Sequence, residues 1–551
     1  MLSAWLPGRR DDMPRRQPPV DEREVGIVEY VAPTVCGIGG IVKASYADFQ
    51  VNELDTAMHE VTATADATAS QDDSDGSDYE EDGGRSLTRF VLHKERMDTL
   101  GAVAELSQQL GLPPRAFGFC GLKDHRAITT QAMTVRGSSR AAVRGVQHPR
   151  LRVHSVRRAS SALKLGMLGG NRFRITLRDA RAEPSVVDAA LRSLRRHGFI
   201  NYYGLQRFGD CAARNDEVGR RLLLGEYAAA VDALLGPMGE REDSAHGASS
   251  AEAEARATWL HSGDARTAYK LMPRTRTLER EVLSSLAWHA SNAPTSSLPH
   301  EEKCRLAMLA LPLALRRLLA YAYFSRCFNI AASERLRRHG VGPAREGELV
   351  IMRKKLLRGR GGPRARREAV HVVTAEEAST GAYRATRVVL PLPGVGTRFP
   401  STPDGSLYAQ MLRLDGIDPH DVALERRALH TDATSPDDGT DPTADAYADA
   451  MDGDAAMACD AWDEEDSNWM RLQGDYRALL LRPRNMSWHM LQPTTPRSRC
   501  DSETHTEPGP DAPATDVALQ FDLPPGAYAT MALREVIKEH PPPSRQAHIR
   551  F

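Results

Sequence analysis

One string in the 551-residue chain gathers groups suited to acid–base or nucleophilic work: Gly118-Phe-Cys-Gly-Leu-Lys123-Asp124-His-Arg126-Ala-Ile-Thr-Thr-Gln131. Glycine lets a backbone turn sharply, so the carboxylate that follows is presented from a loop between rigid elements. Kept ionised and dry, Asp124 is a nucleophile or a base, and that state calls for neighbouring donors and a positive partner. A lone Lys-Asp pair in a turn is ordinarily structural, so its weight depends on what else the chain carries. Seven cysteines (36, 120, 211, 304, 327, 459 and 500) form no CxxC pair, and HxxxH and HExxH spacings are absent. No metal, no cofactor and no disulfide framework are expected, and a reducing compartment suits the scattered thiols.

The elements around the string follow from periodicity. DTLGAVAELSQQLG sets Leu100, Val103, Ala104, Leu106 and Leu110 at helical spacing, with Asp98 or Thr99 to cap it and Gly111 to end it. QAMTVR and SLTRFVLHKE read as strands, as do VGIVEYV and IGGIVKASYADFQVNEL after Val25. In NRFRITLRD, Phe173, Ile175 and Leu177 alternate with Arg172, Arg174, Thr176 and Arg178, predicting a half-buried strand with an arginine-rich outer face. A helix opens at Pro184–Ser185 and closes at Gly198. Helices dominate from about 219 onward, interrupted by VHVVTAEEAS and VVLPLPGVG, and sheet-like pieces return in DYRALLLRPRNMSW and around Tyr528. The expected class is α+β: a mixed sheet domain interrupted by a mostly helical insertion. The expected divisions are a tail at 1–24, the first sheet part at 25–218, the insertion at 219–465, the second sheet part at 469–540 and a tail at 541–551.

Charge is uneven along this chain. Residues 60–84 hold nine acids and residues 428–468 thirteen, and neither stretch has a Lys or Arg. Setting those 22 acids aside turns the net −1 into +21 for the rest. Both stretches, and 494–516, are too poor in apolar residues to offset their ordering entropy and are expected to stay disordered. A basic folded body fits a polyanionic partner, RNA or DNA, through the 172–178 arginine face and the RKKLLRGRGGPRARR run at 353–367. No apolar run reaches the ~18 residues that cross a bilayer as a helix, so no membrane role is expected.

Further strings follow in order: Asp48-Phe49-Gln-Val51-Asn-Glu53, Lys164-Leu-Gly166…Gly170-Asn171-Arg-Phe173, Gly198-Phe-Ile-Asn201-Tyr202-Tyr203-Gly204-Leu-Gln206-Arg207-Phe208-Gly209 and Leu523-Pro-Pro-Gly-Ala-Tyr528…Arg534-Glu535. With GLKDHRAITTQ, these resemble the TruD/Pus7 family of RNA pseudouridine synthases, in its eukaryotic form, from about Val25 to Lys538. One departure stands in the helical region, where the family's Tyr-Gln-Ser reads Tyr323-Phe324-Ser325 before Phe328-Asn329.

The resemblance implies a cofactor-independent isomerisation of uridine in RNA. The substrate it implies is tRNA with a position-13-type target, with mRNA or snRNA as further substrates. Asp124 would be the catalytic carboxylate. Asn201 would orient Asp124 or the base edge, and Tyr203 would stack on the base. Glu53 would be an acidic neighbour of the site, or else an ion-pair partner of Arg207 or Arg534. Lys123 would meet RNA phosphate or support the loop, and Tyr528 would form a second wall or core packing. Arg126, Gln131, Arg207 and Arg534 are assigned to substrate contact. The insertion is expected to clamp RNA over a pocket it does not build. A monomer is expected, in the nucleus by preference, with cytoplasm or mitochondrion as alternatives. The competing reading is a non-catalytic RNA-binding protein or tRNA chaperone on the same fold.

Overall fold

The computed structural model describes residues 21–63, 87–209, 214–237, 250–274, 276–352, 363–420, 422–425, 469–491 and 515–538. Residues 64–84 of the first acidic stretch, all of the second (428–468) and positions 353–362 of the basic run lie outside them.

Strands dominate the first third: β1 (Phe49–Leu54), β2 (Leu87–Glu95), β3 (Phe117–Phe119), β4 (Ile128–Arg136), β5 (Leu151–Arg158), β6 (Gly170–Ala180) and β7 (Phe199–Ile200). Among them lie α1 (Thr99–Leu110), α2 (Arg140–Arg144) and α3 (Pro184–His197). Helices then take over: α4 (Asn215–Leu223), α5 (Tyr227–Leu235), α6 (Ser250–Ser262), α7 (Ala265–Leu271), α8 (Thr277–Ser291), α9 (His300–Ala310) and α10 (Leu313–His339). Short strands β8 (Leu349–Ile351), β9 (Val370–Val372), β10 (Val389–Leu392), β11 (Ala423–Glu425), β12 (Trp469–Arg471), β13 (Asp475–Ala478) and β14 (Leu480–Leu481) follow. The long β15 (Arg484–Leu491) and β16 (Thr515–Leu523) and a last helix, Ala529–Ile537, end the described chain.

The main sheet runs β15-β16-β6-β1-β4-β2-β5, with β3 added to β4. Only the β1–β4 pair among these is parallel. Two apolar clusters cover one face. Phe49, Val51, Phe173 and Ile175 join a core that includes α3 residues Val187, Leu191 and Leu194 and Ala532 and Val536 of the last helix. Phe90, Leu92, Met133 and Val135 join a separate core with Leu100, Val103 and Leu106 of α1. The cores are separate because the positions between them are polar: Glu53 on β1, Thr129 and Gln131 on β4, and Thr99 at the head of α1. That polar seam is where the chemistry-bearing string lands.

The local signals act as read. Asp98 caps α1 by accepting from the Gly101 N–H, and Gly111 closes it in the left-handed region. Pro184 opens α3 and Gly198 closes it. Gly219 of α4 lies against the Leu319 carbonyl of α10, where a Cβ would sit 1.9 Å from that oxygen, so any side chain there would force the helices apart.

Several expectations are corrected. VGIVEYV is not a strand; Val25, Ile27, Tyr30 and Val31 are buried in irregular backbone held by Glu535, which accepts from the Val31 and Ala32 N–H groups. The fold takes in residues before 25, since Glu22 accepts from Arg534. The 469 boundary also shifts: β12 pairs with β11 and β13 with β10, so this segment completes sheets begun in the insertion. Thr515 and Asp516 belong to β16, not to an insert.

The arginine face is the largest correction. Arg172 pairs with Asp522 and Glu60, Arg174 with Glu60, and Arg178 with Asp48 and Asp516. These side chains are neutralised from β1's lead-in, β16 and Glu60, and none is left for phosphate. Glu60 therefore belongs to the fold, not to a disordered insert. Burial works to raise its pKa, yet hydrogen bonds from Arg174, Asn52 and Arg172 hold it below the ordinary carboxylate range. Such a pairing stabilises above the unfolded pKa and is lost as pH falls through the lowered folded value. Glu60→Gln would leave Arg172 and Arg174 short of a countercharge, and we expect a loss of about 1–3 kcal/mol at neutral pH. Urea unfolding of the variant near pH 7 and below pH 4 checks this; the difference from wild type should shrink at acid pH.

Candidate active site

Asp124 lies on the loop between β3 and β4, with its side chain 36% exposed. Its Oδ2 accepts from Lys43 Nζ at 2.9 Å. Lys43 stands with its ammonium 4.1 Å from the Phe49 ring centroid and its backbone at φ 58°. A left-handed lysine is unfavourable by roughly 1–2 kcal/mol, a strain that persists where the surroundings fix it. The positive partner demanded by an ionised carboxylate therefore comes from 81 residues upstream, not from adjacent Lys123.

The loop backbone is tied down from both neighbouring strands. Thr99 Oγ1 accepts from the Lys123 N–H at 2.9 Å and donates to Gln131 Oε1 at 2.9 Å. Gln131 Nε2 in turn donates to the Gly121 carbonyl. Lys94 Nζ donates to the carbonyls of Met97 at 2.6 Å and Lys123 at 3.4 Å. Lys123 turns away from Asp124 into the seam and meets Glu53 at 3.1 Å, the two side chains 3% and 2% exposed. Glu53 thus pairs with Lys123, not with Arg207 or Arg534. Of the two roles open to Lys123, support remains and phosphate contact falls away. Gln131, fully buried, is likewise a support and not a substrate contact.

Lys94 is buried to 0% exposure. Burial pushes its ammonium down to about 7, with Lys123 adding to the fall and Asp98 and Asp124 opposing it. Between about 7 and the ordinary lysine value the unfolded chain holds a proton the folded chain has released, so stability rises with pH across that window. Below about 7 the folded state carries the buried charge at full cost. Lys94→Met should abolish that slope, which we expect to be about 1–2 kcal/mol from pH 6.5 to 8.5. Urea midpoints of wild type and variant at the two pH values measure it.

A second cluster is aromatic. Tyr203 packs edge-on to Phe328 of α10 at 5.5 Å and to Tyr528 at 6.3 Å between ring centroids. Its N–H and carbonyl are both engaged by the Asn329 side chain, at 2.9 and 3.1 Å. Gly204 admits Tyr528, since a Cβ would lie 2.9 Å from that ring. Behind the platform sits Arg477 of β13, its guanidinium 4.0 Å from the Tyr203 centroid. Arg477 also donates to the Asn201 carbonyl and Oδ1 and to the Gly526 carbonyl, at 2.8–2.9 Å. Asn201 completes its bonding on the Ala478 carbonyl, so its amide fixes Arg477 and β13 instead of orienting Asp124. Arg207 stands farther off, 6.0 Å from Tyr203. Arg126 is half-buried two residues past Asp124.

One assignment fails outright, and a second fails in its described part. Arg534 is held by Glu22, the Glu29 carbonyl and the Tyr30 ring, which makes it a clasp for the 22–30 segment, not a substrate contact. In the basic run, Arg366 is 3% exposed and paired with Asp475, and Arg367 donates to the Gly474 carbonyl. The pocket is also partly built by the insertion, because Phe328 and Asn329 belong to α10.

Sheet register connects the two clusters. Glu53 lies opposite Asn171, and Asn171 opposite Leu523, from which the chain reaches Tyr528 in five residues. Two inter-strand steps amount to roughly 10 Å, so the carboxylate seam and the aromatic wall share one end of the sheet. Lys43 and Arg477 were not found from the sequence; Lys43 carries no motif signal, and Arg477 sits in a strand fragment read only as sheet.

Fold and site together define an α+β protein whose mixed sheet offers one accessible, cation-paired carboxylate beside an arginine-backed aromatic wall. The chain belongs to the TruD family: the model described as tRNA pseudouridine synthase D (TruD) matches residues 24–433. It is similar to Pseudouridylate synthase PUS7L of Danio rerio, 29% identical over 464 residues that cover 82% of this chain and 61% of that one. Multisubstrate pseudouridine synthase 7 of Schizosaccharomyces pombe is 27% identical over 487 residues, covering 83% and 62%. The chain thus spans about three fifths of the length of these curated relatives. The TruD protein of Methanosarcina mazei, whose crystal structure is known, shares the fold at a TM-score of 0.55 and 21% identity, covering 94% of this chain and 98% of that one.

Proposed function

We propose that the chain is an RNA pseudouridine synthase acting on a uridine in tRNA. The observation that carries this is the Lys43-paired, half-buried Asp124 on the β3–β4 loop, at the same sheet end as the Tyr203–Arg477 wall. In the isomerisation the N1–C1′ bond breaks and a C5–C1′ bond forms, while C5 loses a proton and N1 gains one. Asp124 either attacks C1′ or C6 or takes the C2′ proton; each route needs one charged oxygen free of water. Lys43 holds that oxygen's charge and direction. Tyr203 supplies a π-face for the extruded base, where stacking is worth ~1–3 kcal/mol against the few kcal/mol that unstacking costs. The polymer substrate, single-chain action and a nuclear address form part of the same proposal.

The test is base-resolution mapping of pseudouridine in tRNA transcripts incubated with the purified chain, and in total RNA from cells with and without it. New pseudouridine at defined uridines supports the reading. Tight RNA binding with no conversion would leave the non-catalytic chaperone in its place.

A further inference from the structure

Between Asp124 and Asp179 the chain has no acidic residue but twelve Lys and Arg. Three of those, on β6, are neutralised by acids from elsewhere, as described above. Apart from Arg126 on the Asp124 loop, the rest lie on β5, the edge strand of the sheet, and on the end of β4, α2 and the turns that flank β5. Arg136, Arg150, Arg152, Arg157, Arg158 and Lys164 are all exposed. Cross-strand pairing worsens the crowding: Arg157 lies directly opposite Arg89 of β2, and Arg152 opposite His93. Like charges placed opposite each other destabilise a sheet. His93 records the excess, since burial first, then His154 and Arg152, push its imidazole down. Among the described residues Glu95 opposes this shift, and Arg96 engages it.

We infer that this β5 edge is a binding surface for the phosphate backbone of the RNA, distinct from the pocket that takes the target nucleotide. It rests on the RNA reading above and adds the path of the strand. At the Asp124 end of the sheet, Ile128 lies opposite Glu95, whose N–H bonds the Arg150 carbonyl. Two inter-strand steps place Arg150 roughly 10 Å from the entry to β4, and the row to Arg158 extends roughly 25 Å along the edge. A nucleic acid leaving the pocket over β2 therefore meets a continuous cationic track. Charge complementarity selects the occupant: a polyanion removes the repulsion, whereas a protein partner would need acids in the same register.

The test uses the full chain with Arg150, Arg152, Arg157 and Arg158 all changed to Gln. Affinity is measured over a potassium chloride series for a full tRNA transcript and for a minimal hairpin bearing only the target loop. Each lost phosphate contact lowers the log–log salt slope by roughly 0.7–0.9, so a drop of roughly 3 is expected on full tRNA from the four substitutions. Affinity for full tRNA should fall at least ~10-fold at low salt. The hairpin should bind both proteins alike, and single-turnover rate at saturating RNA should hold. Unchanged slope and affinity on full tRNA, with a wild type that makes pseudouridine, would overturn the inference and leave the enzymatic reading standing. A wild type that binds with the steeper slope yet makes none sinks the enzymatic reading and keeps the edge. Matching melting curves confirm that the four exposed substitutions leave the fold intact.

Discussion

Asp124→Asn should reduce pseudouridine formation by on the order of 10³-fold or more, with tRNA affinity changed less than about threefold. The amide keeps the shape of the side chain, and Lys43 still reaches its oxygen, so the loop should stay in place. The formal charge is lost, and with it the ability to attack carbon or accept a ribose proton. The loop owes its position to other groups, since Thr99, Gln131 and Lys94 grip its backbone and not the Asp124 side chain. A thermal melt within a degree or two of wild type would separate lost chemistry from lost structure. Turnover by the variant within tenfold of wild type would remove Asp124 from the mechanism.

Arg477→Met should lower kcat/KM by roughly 100-fold. The guanidinium is planted on Tyr203 while bonding the Asn201 carbonyl and amide and the Gly526 carbonyl, so one side chain aligns three segments of the wall. A desolvated cation–π contact is worth about 2 kcal/mol, and the charge-assisted bonds add to it; about 3 kcal/mol corresponds to that factor in rate. Methionine fills the space and keeps the apolar stem but cannot hold Asn201 or Gly526. Arg477→Lys should recover little, because a compact ammonium cannot span both sides of the wall. The effect should appear in single-turnover rate at saturating RNA, whereas a purely structural loss would appear in unfolding free energy alone. Steady-state and single-turnover assays beside urea unfolding distinguish the two.

How much of this was legible beforehand depends on the range of the forces involved. Caps, glycine stops and the alternation of Phe173, Ile175 and Leu177 are local, and α1, α3, β2 and β6 stand where those signals placed them. Long contiguous strings such as GLKDHRAITTQ and NYYGLQRFG carried the family and the identity of Asp124 and Tyr203. The sequence by itself thus determined most element types, VGIVEYV excepted, together with the class of fold and the two central candidates, Asp124 and Tyr203. Only the tertiary structure decided which charges are available. Arg172, Arg174 and Arg178 read as an open cationic face because their acids lie up to 350 residues away, on β16 and beside β1. On β5 the arginines lie opposite Arg89 and His93 of β2 and meet no acid in that register, because an edge strand has one neighbour instead of two. Lys123 and Asp124 are adjacent in the chain, yet successive side chains diverge, so one is buried against Glu53 and the other meets Lys43. Partners for a charge are set by folding distance, which no local pattern records, and that is why Lys43 and Arg477 emerge only when the sheet and the insertion are packed together.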